Sequence, residues 1–216
     1  MRKLFSYDSP LMQGLSTVAD YMLLNIIFIL CCVPVVTIGA AKTALYRVMF
    51  DMLDQRGNNY KRFFKAFAAE FKAITPIGLL KVAIIGFLSL EALWMIYNAQ
   101  SFLAQDALRT PVTVVLVLTM LIAGMVFSNI PAQVAMFSST RTEYLKNGIY
   151  IALTKPFRCL AVAVFDLLPI ILALWDPTIV ALFGPVFIFF YFTVTVNLSA
   201  RIFRKPFNQY IENARN

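Results

Sequence analysis

The 216-residue chain has no histidine. Zinc sites built on imidazole and Ser/Cys–His nucleophile pairs are therefore excluded, because each needs that side chain. Cysteine is scarce: Cys31 and Cys32 stand side by side in one apolar run and Cys159 opens another. Their spacing fits neither a C-x-x-C pair nor a disulfide framework. Three thiols without His or paired carboxylates make no complete ligand set, so they read as buried apolar fillers, and no metal or cofactor is expected. Charge is thin as well, at 14% of residues, where a soluble domain carries roughly 25%. Apolar residues fill the space: they make up 60% of the chain, and the mean hydropathy is +0.75. A water-soluble globule does not have this balance, and disorder needs the reverse. The chain is expected to be an integral membrane protein.

Five stretches are long and apolar enough to cross a hydrocarbon core, which takes roughly 20 residues. They are 17–38, 76–97, 112–136, 159–175 and 178–200. Of the charged residues only Asp20, Lys81, Glu91 and Asp166 fall inside them. Arg2 and Lys3 precede the first run in the manner of a signal peptide, but the run starts late, carries Gln13, Asp20 and Asn25 nearby, and has no small-residue cleavage site. It reads as a retained anchor. Capping residues followed by proline, at Ser9-Pro10, Thr110-Pro111 and Asp176-Pro177, are expected to open helices. Gly57-Asn58, Asn147-Gly148 and Lys205-Pro206 are expected to close them. The fold class is all-α, a polytopic helical bundle. Pro34, Pro76, Pro131, Pro169 and Pro185 are expected to kink helices for packing.

Basic residues accumulate on the cytoplasmic side of membranes. Residues 39–75, 137–158 and the C-terminal tail carry fifteen Lys and Arg, and the opposite face carries Arg2, Lys3 and Arg109. Five crossings put the C-terminus inside and the N-terminus outside. The segment 39–56 decides the count. Lys42, Arg47 and Asp51 oppose Leu45, Val48, Met49 and Met52, a pattern for a helix at the interface or one dipping back into the protein. If it crossed fully, the N-terminus would lie inside and the crossings would number six; the five-span reading is preferred because positive charge is expensive at mid-membrane.

In 60–74, Phe63, Phe67 and Phe71 recur every four residues, with Lys61, Arg62, Lys65 and Lys72 on the remaining surface. The phenylalanine stripe wants lipid or protein, and the basic face is a candidate interface for anionic headgroups or simply a topology-setting juxtamembrane helix. Nucleic-acid binding is not expected, since the basic residues are spread over three connections with no recognised module. Phe71-Lys72 aligns with Phe157-Arg158, which suggests a parallel repeat of span, amphipathic helix and span. Glu91 sits with Trp94 and Tyr97 toward a span end and reads as an interfacial carboxylate. Lys81 lies nine residues past Lys72 and Asp166 eight past Arg158, so both sit roughly 12–14 Å deep at 1.5 Å per residue. They are expected to form an interhelical ion pair, which a reciprocal exchange of the two residues should largely restore.

The run Val33-Pro34-Val35-Val36-Thr37-Ile38-Gly39-Ala40-Ala41, with Leu23-Leu24-Asn25 before it, Ala44-Leu45-Tyr46 after it, then Phe63-Phe64-Lys65-Ala66-Phe67 and Phe71-Lys72, resembles the YesL-like family. These are small bacterial membrane proteins classed as a domain of unknown function. The specific part covers about residues 20–75. The chain departs from the family's pattern at Ala40, often proline there, and at Lys42, often small or hydroxylic. The resemblance implies a plasma-membrane protein encoded near carbohydrate-uptake and sensor genes, and it supplies no catalytic residues. The expected function is a non-enzymatic accessory or regulatory membrane protein linked to sugar uptake or sensing, with membrane lipids and a sugar permease or sensor kinase as partners. A small-solute transporter or channel subunit is the alternative, with Lys81, Glu91 and Asp166 along its pathway.

Overall fold

A computed structural model describes residues 10–54, 59–97 and 106–215. Among these there is no strand. The helices are α1 (Pro10–Cys32), α2 (Ile38–Leu53), α3 (Asn59–Tyr97), α4 (Asp106–Met136), α5 (Arg141–Thr154), α6 (Pro156–Trp175), α7 (Pro177–Leu182), α8 (Gly184–Val186) and, after a π-helical stretch at Phe187–Tyr191, α9 (Phe192–Arg215). Five helical segments are long and apolar enough to cross a membrane: Gly14–Cys32, Asn59–Met95, Pro111–Met136, Pro156–Trp175 and Gly184–Phe207. The protein is an all-α, multi-pass membrane protein.

Helix α3 joins what the residue pattern separates. The amphipathic stretch 60–74 and the span 76–97 form one helix of 39 residues, about 58 Å at 1.5 Å per residue. That is nearly twice a hydrocarbon core of about 30 Å, so α3 is longer than one crossing needs. Pro76 is carried inside α3. The phenylalanine stripe faces protein: Phe63 is fully buried and stacks on Phe67 at 6.3 Å between ring centres, and Phe71 follows at 5.9 Å with its ring tilted.

Three expected helix boundaries are corrected. Pro111 lies five residues inside α4, Asn147-Gly148 lies inside α5, and Pro206 lies inside α9. Gly148 packs against Ile130 and the Val126 carbonyl, so its missing side chain serves close helix approach rather than a stop. Asp176 does cap: its carboxylate accepts the Thr178 N–H at 2.9 Å, with Pro177 at the first helical position. Thr140 and Glu143 form a reciprocal capping box on α5, and the Thr140 N–H it accepts holds the Glu143 carboxyl below its ordinary pKa. Ser9 and Gly57-Asn58 lie outside the described residues. The span expected at 178–200 is interrupted by α7, α8 and the π segment before α9 continues it.

The largest correction concerns direction. Thr193 donates to the Tyr21 carbonyl at 3.1 Å, while Asn25, one turn further along α1, donates to the carbonyls of Phe187 and Ile188. Rising numbers on α1 thus meet falling numbers on α9, and the two helices are antiparallel. Asn59 donates to Asp20 at 2.8 Å, and Arg204 bonds the Leu53 carbonyl and Asp54. The start of α1, the α2–α3 connection and the end of α9 therefore share one end of the bundle, here called basal. A start of α1 opposite the end of α9, as the five-crossing reading has it, does not fit these contacts; the two helix ends share a side, as in the alternative that sent 39–56 back through the layer.

Helix α2 is the returning arm of a hairpin. It does not lie at an interface, because Ala40, Ala41, Thr43, Ala44, Leu45, Tyr46, Val48 and Met49 are fully buried. The hairpin turn reaches about halfway along α3, where the backbones of Gly39 and Gly78 touch. A Cβ on Gly39 would come within 3.1 Å of the Gly78 Cα, and one on Gly78 within 2.9 Å of the Gly39 Cα. In the turn itself Thr37 donates its hydroxyl to the carbonyls of Cys31 and Pro34, supplying partners that the broken helix no longer provides.

Helix α4 descends antiparallel to α3, with Ile85 beside Met120 and Ile74 and Ile77 beside Phe127 and Ile130. Helix α6 rises along it, Ala163 and Leu167 closing on Gly124. The parallel repeat is not realised. Helices α1 and α3 run the same way, whereas α4 and α6 run opposite ways, and α5 is broken from α6 at Lys155-Pro156. At the basal end Phe203 and Phe207 stack at 5.5 Å, and Phe50 and Phe137 pack on Phe207. Reporters fused to the two chain termini are expected to lie on the same side of the membrane; opposite sides would contradict this path.

Candidate functional site

Small residues surround Lys42. Gly39, Ala40, Ala41, Thr43 and Ala44 let α2 pack tightly between its neighbours, which carries the one long side chain of that turn inward. Its ammonium bonds Asp166 Oδ2 on α6. Lys81 Nζ on α3 meets the same oxygen at 3.1 Å. The structure brings Lys81 and Asp166 together and adds a partner that residue patterning placed on the water-facing side of an interfacial helix. The Lys42 and Asp166 side chains are each 13% exposed and Lys81 is 22% exposed. One carboxylate thus holds two ammonium groups, leaving one positive charge uncompensated.

The triad stands in a cavity of about 320 Å³ lined from α1, α2, α3, α4, α6 and the π–α9 run. Gly39 and Gly78 form part of its wall, so the tight α2–α3 crossing also sets how near Lys42 and Lys81 approach Asp166. Pro131, inside α4, also lines the cavity. Tyr191 on the π segment also lines the cavity and donates its hydroxyl to the Phe165 carbonyl, beside Asp166.

The π segment has a specific cause. Asn25, fully buried, inserts its amide where the helical ladder opens: Nδ2 donates to the Phe187 and Ile188 carbonyls, and Oδ1 accepts the Thr193 N–H at 2.9 Å and its hydroxyl at 3.1 Å. One side chain replaces the backbone bonds that the extra residue removes. Asn25→Leu is expected to lower thermal stability by about 2–4 kcal/mol, since it strands several buried polar groups at once; a loss under about 0.5 kcal/mol would mean the π segment holds itself.

The remaining candidates lie elsewhere. Lys61, Lys65 and Lys72 are exposed on the first part of α3, and Arg62 pairs with Asp51 on α2 at 2.8 Å. Arg141 donates to the Lys72 carbonyl at 2.8 Å. This basic face is displayed near the basal end, apart from the cavity. Glu91 is half-buried on the distal part of α3. Cys31, Cys32 and Cys159 are free thiols, and among the described residues no group of three His, Cys, Asp or Glu side chains comes together.

The stretch that forms the hairpin and both lysine-bearing walls is the one a family model matches. Residues 21–92 match the family described as protein of unknown function, DUF624. The DUF624 match runs from the second half of α1 through α2 and most of α3, and the YesL-like resemblance over residues 20–75 falls on the same stretch. It takes in Asn25, Gly39, Lys42, Gly78 and Lys81, while Asp166 lies beyond it. No curated protein and no solved structure matches the chain.

Proposed function

We propose that the protein is a non-enzymatic, multi-pass protein of the bacterial plasma membrane whose central cavity binds a small anion. The observation that carries this reading is the excess charge: Lys42 and Lys81 converge on one carboxylate oxygen in a cavity of about 320 Å³. A structural pair needs one cation. A second one at membrane depth costs several kcal/mol unless something compensates it, and a ligand's negative charge does so.

The basal end is the cytoplasmic one in this reading. With the start of α1 beside the end of α9, Arg109, in the first turn of α4, is the one Lys or Arg of the distal end among the described residues, while most basic residues of 39–75, 137–158 and the C-terminal tail lie toward the basal end. An accessory role beside a sugar permease or sensor kinase draws on the family resemblance, and the loaded or empty state of the cavity gives such a partner something to sense. Vesicles containing the purified protein separate the two modes. Protein-dependent flux of a labelled small carboxylate, lost in Lys81→Met, marks a transporter; binding without flux, with co-purification of a permease or kinase, marks an accessory. Neither binding nor flux for any small anion would contradict the reading.

A further inference from the structure

Resting on the anion-binding reading, we infer that the ligand is an amphiphilic organic monoanion, a carboxylate on a short hydrocarbon chain, that enters the cavity sideways from the bilayer. Away from the triad the wall is hydrocarbon, with Phe28, Ile77, Ile85, Phe127, Ile170 and Phe192 facing the space. The hydroxyls that reach it are already committed to backbone carbonyls. Ser89 donates to Ile85 at 2.8 Å, Thr195 to Phe192 at 3.1 Å and Tyr191 to Phe165. A sugar would leave most of its own hydroxyls unpaired in such a pocket, and a hydrophilic anion would gain nothing from the apolar wall. The single uncompensated charge calls for one negative charge. Two would overshoot it.

Size and entrance agree with that chemistry. A volume of about 320 Å³ is about twice the roughly 150 Å³ of an apolar cavity that takes benzene, room for a carboxylate on an eight-carbon chain. The opening lies along α3, five residues past Lys81. Gly86 lines the cavity yet is exposed, and a Cβ built on it meets nothing within 4 Å. Phe87 and Leu90, 63% and 66% exposed, flank it as lipid-facing apolar surface. The mouth is therefore at bilayer depth, whereas the basal end is closed by the cluster of Phe50, Phe137, Phe203 and Phe207. A molecule that partitions into lipid arrives at this mouth with its chain already desolvated.

Equilibrium dialysis of labelled octanoate against the protein in zwitterionic lipid nanodiscs, with empty discs subtracted, tests this. One octanoate per protein is expected. Binding should weaken about ten-fold or more in Lys81→Met, which removes a cation, and in Gly86→Leu, which fills the mouth without touching the triad. Acetate and octanol should each compete about ten-fold or more less well than octanoate, the first for lack of chain and the second for lack of charge. Acetate competing equally would leave the anion site standing and overturn the hydrocarbon-chain inference alone. Full binding in Gly86→Leu would overturn the sideways entrance. Octanol competing equally, full binding in Lys81→Met, or no binding above empty discs would overturn the anion-binding reading itself.

Discussion

Asp166→Asn is expected to lower the unfolding free energy of the detergent-solubilised protein by about 3–5 kcal/mol, because it strands two buried ammonium groups at once. Lys42→Met and Lys81→Met should each cost far less or raise the midpoint, since either leaves one lysine paired with Asp166 and removes the uncompensated charge. This order distinguishes a shared carboxylate from an isolated pair. The reciprocal exchange of Lys81 and Asp166 no longer restores stability in this arrangement, because the new lysine at 166 would face Lys42. Exchange that recovers the wild-type midpoint would show that Lys42 takes no part. Thermal unfolding of the four variants side by side reads out both points.

The second large effect is expected at the α2–α3 crossing. Gly39→Ala and Gly78→Ala each place a Cβ against the partner's backbone, at 3.1 and 2.9 Å. Backbone cannot swing aside as a flexible side chain can, so each substitution should cost about 1–3 kcal/mol. The consequence extends to the site, since the crossing forms part of the cavity wall and positions Lys42 and Lys81 across Asp166. Either alanine should therefore weaken anion binding as well as stability. Gly86→Ala, at an open position, should do neither to the same degree.

Composition and apolar runs made the membrane class and the all-α fold legible, because the bilayer demands long uncharged helices whatever their packing. The depth arithmetic placed Lys81 and Asp166 at one level for the same reason. Lys42 escaped it. Its amphipathic spacing with Arg47 and Asp51 suggested a water-facing side, while the countersignal was the run of small residues around it, which favours close packing on every side. The path of the chain was misread through the same segment: α2 has 16 residues, about 24 Å, too short to count as a span yet long enough to reverse the chain. Asn25 carried a signal as a lone amide in an apolar run. What it does is tertiary, because its partners lie more than 160 positions away at Phe187, Ile188 and Thr193. The apparent stops at Asn147-Gly148 and Lys205-Pro206 failed because helix neighbours, which local residue preferences do not contain, favour continuing the helix there.

The central claim is that the triad leaves a positive charge in the cavity for a ligand anion to neutralise, and the shift of the unfolding midpoint with added octanoate measures it in wild type, Asp166→Asn and Lys81→Met. A ligand that binds only the folded state stabilises it in proportion to RT ln(1 + [L]/Kd), so the shift reports affinity. The largest shift is predicted for Asp166→Asn, where two cations await one anion, a smaller one for the wild type, and little or none for Lys81→Met, whose remaining lysine is matched by Asp166. Equal shifts in all three proteins would contradict the claim and make the triad a structural element alone.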